Sequence, residues 1–388
     1  MVLTLLLVAW GKGSEPLTQR FEQVRGLWPE QETGQTYQGF IKAWKTVGLA
    51  PAYAAAEQLR QQLGDLADAP GAQLGGWRVL AADGSRFELP RTAEHLRVFG
   101  TAGKEQSPQM WVTMLWDLGL GLPWAWKIGR ADASERHHLR WMLGQCPAGC
   151  LLAMDAGFTG YELLRQIRAG GRHFLLRVGR QVELLKDLYD VEEKDGLVYL
   201  WPQFAQRDAQ PPLVLRLIRL PQKGDGRKKM YLLTDVLDAA ALGDELAGEI
   251  YAKRWGVELA YRALKQTFEA RKLRSHAPVQ ALLEMHGLLL GLTLLGLWTR
   301  RALGPEAIRA KWSPAQALRT VRAGLARPEL RQDWLGRLAQ ARPDGYTRRR
   351  KTRVVWPRKK RHAPPPGRPR LRRARVAERR LAAQLRKE

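Results

Sequence analysis

The stretch from about residue 74 to 171 constrains the fold most, because its apolar patterns change type in a definite order. Strands are predicted for WRVLAADGSRFELP, PQMWVTMLWDLG and GLPWAWKIGR, and the Gly-rich GLGL joins the last two in a tight turn. A helix is predicted for SERHHLRWMLGQ and a second helix, ended by Gly-Gly, for GYELLRQIRAGG. Between them, GCLLAMDAGF is an apolar run that ends at Asp155 and a Gly, which predicts a buried central strand. This order predicts an α/β fold in which helices flank a mixed sheet.

The regions on either side of this stretch have other patterns. Apolar positions three and four apart predict a helical N-terminal region over 1–72, which is either a small DNA-binding domain or a structural brace. Short β-like pieces between polar turns predict a β-rich insertion at about 172–228. One long helix is predicted over 242–269 and an apolar one over 278–303. The main domain is therefore predicted to span 73–303, with a further helical segment at 304–340.

The charge of the chain points to a polyanionic partner. The formal net charge is +26, and residues 341–388 contain 19 Lys or Arg against 3 acids. Such a tail cannot bury a core, so it is predicted to be disordered, and it serves either as a DNA contact or as a solubilising segment. Nucleic acid is favoured over a membrane, because no basic helix has a strongly apolar face. A ribosome-associated or simply Arg-rich protein is the alternative.

Cysteine and apolar segments exclude several other classes. Cys146 and Cys150 are too few for a disulfide framework, which fits a reducing cytoplasm. Their spacing from His137 and His138 matches no closed zinc site. The apolar GLLLGLTLLGLW is too short to span a bilayer and is interpreted as a buried helix, so no membrane association is expected. The opening MVLTLLLVAW lacks a basic n-region and a cleavage site, so no signal peptide is expected.

Three acidic residues stand out by position. Asp83 lies in the first predicted strand, Asp155 closes the buried strand and Glu258 lies in the long helix. Carboxylates at strand ends often belong to sites, and converging carboxylates repel one another unless a cation neutralises them. Hard divalent ions take such oxygen ligands, and two ions about 4 Å apart can stabilise both the attacking and the leaving oxygen of a phosphoryl transfer. Asp235 is a rival strand-end acid, and turn or surface roles remain open for each.

The long helix contains a narrow polar stripe. At about 100° per residue, Tyr251, Arg254, Glu258 and Lys265 share an arc of roughly 60°. The neighbouring arc is predicted to face the core and consists of Ile250, Val257, Tyr261, Leu264 and Phe268. The alternative is a solvated face on which Arg254 and Glu258 form a weak i,i+4 pair.

This stripe resembles the Tyr-(2)-Arg-(3)-Glu-(6)-Lys signature of DDE transposases from bacterial insertion sequences. AADGSRFEL and LLAMDAGF are similar to the first and second Asp regions of that family, and the resemblance runs from roughly 75 to 300. It implies a ribonuclease H-like fold and an Mg²⁺-dependent triad, with two ions and Mn²⁺ as a substitute. Carried over, Asp83, Asp155 and Glu258 hold the metals, while Tyr251, Arg254 and Lys265 contact DNA.

The resemblance also implies the reaction and its partners. The family nicks transposon ends and joins the freed 3′-OH to target DNA, so terminal inverted repeats and target DNA are the expected partners. A homodimer on DNA, at the nucleoid in a bacterial cytoplasm, is expected. In relatives the insertion supports a DNA hairpin by stacking a base, for which Trp201 is a candidate unless it is a core residue. Rival functions are a metal nuclease that does not transpose and an inactive DNA-binding derivative.

Overall fold

The structure is a computed structural model that describes residues 9–13, 15–25, 36–103, 106–189, 196–222, 225–304, 311–330, 333–343 and 367–386. The chain divides into two compact units. The first unit comprises Met1–Leu151 and Ala252–Arg342, and the second comprises Leu152–Tyr251 and Pro343–Glu388. The chain therefore passes from the first unit to the second, returns to the first and ends in the second.

The first unit is built on an antiparallel meander. Its strands are β1 (Val79–Glu88), β2 (Gln109–Asp117) and β3 (Leu122–Arg130), and β2 lies between the other two. Asp83 pairs with Met114 in this register. The predicted strands and the turn between β2 and β3 are confirmed, and Gly121 occupies that turn with a φ of 64°, which a side chain would strain.

Helices cover this meander. They are α1 (Leu17–Arg25), α2 (Tyr37–Thr46), α3 (Ala50–Ala67), α4 (Ala93–Phe99), α5 (Glu135–Met142), α9 (Gly256–Arg262), α10 (Pro278–Leu303), α11 (Pro314–Ala326) and α12 (Trp334–Ala339). The apolar α10 contacts α3, α11, α12 and β3. It is long and apolar enough to cross a membrane, but 78% of its most apolar window is buried inside the protein. We therefore interpret α10 as the central core helix of this unit.

The second unit contains a larger sheet. Its strands are β4 (Leu151–Met154), β5 (His173–Val178), β6 (Glu183–Lys186), β7 (Leu197–Leu200), β8 (Leu213–Gln222), β9 (Asp225–Thr234) and β10 (Arg370–Arg373), and its helices are α6 (Tyr161–Ala169), α7 (Gln203–Arg207), α8 (Asp244–Lys253) and α13 (Val376–Leu385). The strand order is β10-β6-β7-β8-β9-β5-β4. The pairs β5–β9, β6–β7, β7–β8 and β8–β9 are antiparallel, whereas β10 is parallel to β6. The sheet is therefore mixed, as predicted.

The prediction of one long helix over 242–269 is wrong. The helical segment α8 ends at Lys253, Arg254 and Trp255 form a turn, α9 begins at Gly256, and a π-helical turn follows at Ala263–Thr267. Glycine is a poor helix former, which weakens the helix at Gly256. A Cβ at this position would lie only 3.2 Å from Nε1 of Trp116, so the glycine allows the main chain to pack closely against the Trp116 ring. The predicted core-facing residues are all buried, as expected.

The prediction of a disordered tail is wrong for residues 367–386. There β10 joins the edge of the sheet beside β6, and α13 follows. The guanidinium of Arg372 lies 2.7 Å from both Glu183 and Glu378, and it lowers the pKa of Glu378 to about 2. These acids offset part of the positive charge that was expected to keep the tail unfolded. Residues 344–366 lie outside the described part of the chain.

Two buried histidines predict a pH-dependent stability of the first unit. Nδ1 of His138 lies 2.9 Å from the Thr113 hydroxyl, and Nδ1 of His286 accepts the indole N–H of Trp126 at 3.0 Å. Burial, followed by the charge of Lys127, lowers the pKa of each histidine to about 4. Because an unfolded histidine has a pKa near 6.5, stability is full above that pH and falls as the pH drops from 6.5 towards 4.

We expect each histidine to remove up to about 3 kcal/mol of stability across that range. Urea unfolding at several pH values measures the loss. His286→Gln should make the pH dependence shallower, whereas the same change at the exposed His276 should not. Equal pH profiles for the wild type and His286→Gln would contradict this assignment.

Candidate active site

The candidate site lies on one face of β1. Side chains alternate along a strand, so Asp83, Ser85 and Phe87 point to the same face. The helix α9 contacts β1 and β2. There the single O–H of Tyr261 is shared between the main-chain oxygens of Asp83 at 3.0 Å and Val112 at 2.9 Å. This buried phenol, whose pKa is raised chiefly by its burial, fixes α9 beside the Asp83 carboxylate.

Arg254 lies between two of the predicted acids. Its Nη2 donates to Oε1 of Glu258 at 3.0 Å, and its Nη1 lies 3.8 Å from Oδ2 of Asp83. The side chain of Arg254 is 12% exposed, that of Asp83 is 18% exposed and that of Glu258 is 30% exposed. The alternative of a solvated i,i+4 pair is therefore wrong, because Arg254 is mostly covered and also reaches β1.

Lys265 lies further along the same face of β1. Its ammonium donates to the Ser85 hydroxyl at 2.7 Å and lies 5.0 Å from the centre of the Phe87 ring. Burial, followed by the charge of Arg271, lowers the pKa of Lys265, whereas Glu88 raises it. The π-helical turn thus places the Lys265 ammonium beside Ser85, which lies two residues after Asp83 on β1. Two acids and two cations share one face of the first unit.

Asp155 belongs to the second unit, where it follows β4 as predicted. Its side chain caps the short turn Ala156–Phe158 and accepts the N–H of Gly157 at 2.8 Å. It is partly exposed. Within the described residues, no group of three or more His, Cys, Asp or Glu side chains is placed to hold a metal ion. Of the three predicted metal ligands, Asp83 and Glu258 both lie beside the guanidinium of Arg254.

The donor set of the first unit fits a hard divalent cation. Asp83 and Glu258 offer carboxylate oxygens, the ligand type that Mg²⁺ and Mn²⁺ prefer. These two carboxylates already hold a positive group between them, the guanidinium of Arg254. The site therefore attracts positive charge.

Comparison with known proteins assigns the domain that carries these residues. A family model described as "Transposase DDE domain" matches residues 75–294, more than half of the chain. The chain belongs to this family. The match includes Asp83, Asp155 and Glu258, together with Arg254 and Lys265. The predicted resemblance to DDE transposases is thereby confirmed.

The DDE domain also has a curated relative and a similar solved structure. The relative is the "Transposase InsG for insertion sequence element IS4" of Escherichia coli K12, which is 30% identical over 234 residues. The match covers 57% of this chain and 52% of the relative, so the chain spans about half the length of that protein. The solved structure is the piggyBac transposase synaptic complex with hairpin DNA, with a TM-score of 0.45 and 12% identity, covering 89% of this chain and 76% of the other.

The rival acid of the DDE domain, Asp235, has a structural role in the second unit. Its side chain is 4% exposed. One oxygen accepts the main-chain N–H of Phe174 at 2.9 Å, and the other lies 3.0 Å from Nδ1 of His173. Asp235 thus ties the end of β9 to the start of β5. A carboxylate that is buried and bound in this way fits a structural role.

Two predicted aromatic positions differ from expectation. Tyr251 is predicted to belong to the polar stripe, but it is 7% exposed. It lies in α8, before the turn at Arg254 and Trp255, so a projection onto one regular helix does not relate it to Glu258 in α9. Trp201 is 3% exposed, and its indole N–H donates to the main-chain oxygen of Gln210 at 2.8 Å. Trp201 is therefore a core residue, the interpretation that the sequence favours over stacking on a DNA base.

The sequence reasoning missed one exposed aromatic residue beside the site. Trp255 directly follows Arg254 in the turn between α8 and α9, and it is 52% exposed. A large apolar side chain at such a position has no core to fill. The exposure of Trp255 could be predicted from the sequence, because this residue lies off the core-facing arc of the predicted helix.

Proposed function

We propose that the protein is a DNA transposase that nicks transposon ends by metal-dependent phosphoryl transfer and joins the freed 3′-OH to target DNA. One observation carries the proposal: inside a DDE transposase domain, Asp83 and Glu258 converge on Arg254, with Lys265 on the same face of β1. If these residues served only as a structural ion-pair network, they would not need to match the residue types and spacing of the family signature. The net charge of +26 supports DNA as the substrate.

Each residue has a proposed role in that reaction. Asp83 and Glu258 hold divalent cations, with Asp155 as the third ligand. When bound, the metal ions supply an activated water and stabilise the leaving oxygen. Lys265 and the guanidinium fork of Arg254 hold phosphate oxygens of the cleaved strand, the fork in a bidentate manner. The buried Tyr261 keeps α9, and with it Glu258, against β1.

The proposed DNA surface extends to the turn between α8 and α9. Exposed aromatic rings provide stacking surfaces for unpaired bases, so we assign this role to Trp255 in place of Trp201. Tyr251 is left out of this surface because its ring is buried. We further propose that the protein acts as a homodimer on DNA in the bacterial cytoplasm, with terminal inverted repeats and target DNA as its partners.

A plasmid assay tests the proposed reaction. The plasmid carries the inverted repeats that flank the gene, and products are followed with Mg²⁺ and with EDTA. We expect nicking at the repeat ends followed by joined products, both with Mg²⁺ alone. Nicking without joining would indicate the rival nuclease, and DNA binding without either would indicate the inactive derivative.

The basic segment 348–361 carries a separate prediction about DNA affinity. It contains nine Lys or Arg residues. Replacing these nine by Gln should weaken DNA binding and reduce the dependence of affinity on salt, because each lost phosphate contact removes about 0.9 from the slope of log K against log salt. Fluorescence anisotropy at several salt concentrations measures that slope. An unchanged slope would show that this segment does not contact phosphates.

A further inference from the structure

We infer that Arg254 is an exchangeable counter-ion: it holds Asp83 and Glu258 in the metal-free protein and must release both before a divalent cation can bind them. The inference deepens the proposed function and rests on it, since it assumes that these carboxylates are metal ligands. It adds a step that a simple phosphate contact would not require. Binding of a metal ion to the two carboxylates and release of the Arg254 guanidinium from them would then occur together.

The geometry places a single cation on two anions. The same guanidinium reaches Glu258 through Nη2 at 3.0 Å and Asp83 through Nη1 at 3.8 Å. All three side chains are less than a third exposed. Ion pairs with limited solvent access are screened less than surface pairs, so this contact stabilises the two carboxylates beside each other.

The same carboxylates cannot be shared freely between Arg254 and a metal ion. Oε1 of Glu258 accepts the Nη2–H, and a metal ion would need electron pairs of the same carboxylate. A divalent cation at Asp83 and Glu258 would also lie next to the guanidinium, and like charges at such distances repel strongly in a poorly solvated site. Arg254 and the metal therefore compete, and the arginine lowers the metal affinity of the free protein.

The released arginine has a new use. Freed from the carboxylates, its planar fork can hold two oxygens of a DNA phosphate. Coupling of this kind is reciprocal: a phosphate that draws Arg254 away makes the carboxylates available to the metal, and the metal makes Arg254 available to the phosphate. Lys265 does not share this role, because its ammonium donates to the neutral hydroxyl of Ser85.

Binding of Mn²⁺ to the DNA-free protein, measured by electron paramagnetic resonance, tests the inference. Arg254→Met removes the guanidinium and adds no oxygen ligand, so it should bind Mn²⁺ about 5 to 150 times more tightly than the wild type, the usual range of coupling between sites. Arg254→Lys, which keeps the charge but cannot bridge both acids, should lie between. The matched control is Arg165→Met, which breaks a 3.0 Å pair with Glu162 on α6; it should leave the Mn²⁺ affinity unchanged.

Two further measurements make the outcome decisive. The rise in melting temperature on adding Mn²⁺ should be larger for Arg254→Met than for the wild type, and this readout also shows that the variant is folded. Mn²⁺ affinity of Arg254→Met equal to or below that of the wild type would overturn the inference. Glu258→Gln separates this failure from failure of the proposed function. If Glu258→Gln weakens Mn²⁺ binding while Arg254→Met does not strengthen it, only the counter-ion role is lost; if Glu258→Gln has no effect, the proposed metal site itself is wrong.

Discussion

Replacement of Glu258 by Gln is expected to lower Mg²⁺-dependent nicking of a transposon-end plasmid by about 10³-fold, the upper end of the range for losing one electrostatic group in a catalytic site. Glutamine has nearly the same volume and can still accept a hydrogen bond from Arg254. It lacks the negative charge that holds a hard cation. The substitution therefore removes the proposed chemistry while it preserves the packing of α9.

DNA affinity should respond differently from cleavage. Phosphate contacts dominate affinity for DNA, so Glu258→Gln should bind DNA at least as tightly as the wild type. Glu249 supplies a matched control, because it is an exposed glutamate on the neighbouring helix α8. Glu249→Gln should nick DNA at the rate of the wild type. If Glu258→Gln also did so, Glu258 would not be a catalytic ligand and the acid of the triad would have to be sought elsewhere.

The strands that carry the acids could be predicted from the sequence alone. Alternating apolar residues specify β1, β2 and β3, and the short buried run before Asp155 specifies β4. The burial of Val257, Tyr261 and Leu264 also followed from helical spacing. Local apolar patterns were sufficient in these segments because β2 and β4 are buried along almost their whole length and α9 packs one face against the core.

Features that depend on contacts between distant segments could not be predicted. Directly after the break at Arg254 and Trp255, Gly256 lies close to Trp116, which is 140 positions earlier in the chain. The folding of β10 depends on acids at 183 and 378 that neutralise Arg372. Periodicity and net charge describe a segment by itself, so they contain no signal for such partners.

The candidate site shows the same division between local and distant information. Residue types and spacing identified Arg254, Glu258 and Lys265 as a group, and the family resemblance gave them roles. The bridge from Arg254 to Asp83 was not foreseen, because the ideal-helix projection gave no distance to β1. Because of this contact, Arg254 pairs with two acids, Asp83 and Glu258, and is not a solvated surface residue.

Replacement of Lys265 by Met is expected to lower the rate of DNA cleavage by about 10² to 10³-fold, as for the loss of one positioned donor to a developing negative charge. The ammonium is held by Ser85 on the face of β1 that carries Asp83, so it is oriented before DNA arrives. Methionine is unbranched and can pack against the Phe87 ring, but it lacks the ammonium that lies over that ring. The loss should therefore be electrostatic, with little change in melting temperature.

Lys253→Met is the matched control for this prediction, since Lys253 is an exposed lysine at the end of α8. Both variants remove one positive charge, so a general electrostatic effect on DNA binding would affect them alike. We expect only Lys265→Met to lower the single-turnover rate at saturating DNA, because at saturation the rate reports the bound complex and not the affinity. Equal rates for the two variants would place Lys265 outside the catalytic site. Its contact with Ser85 would then serve to anchor the π-helical turn on β1, and the phosphate contact would fall to Arg254 alone.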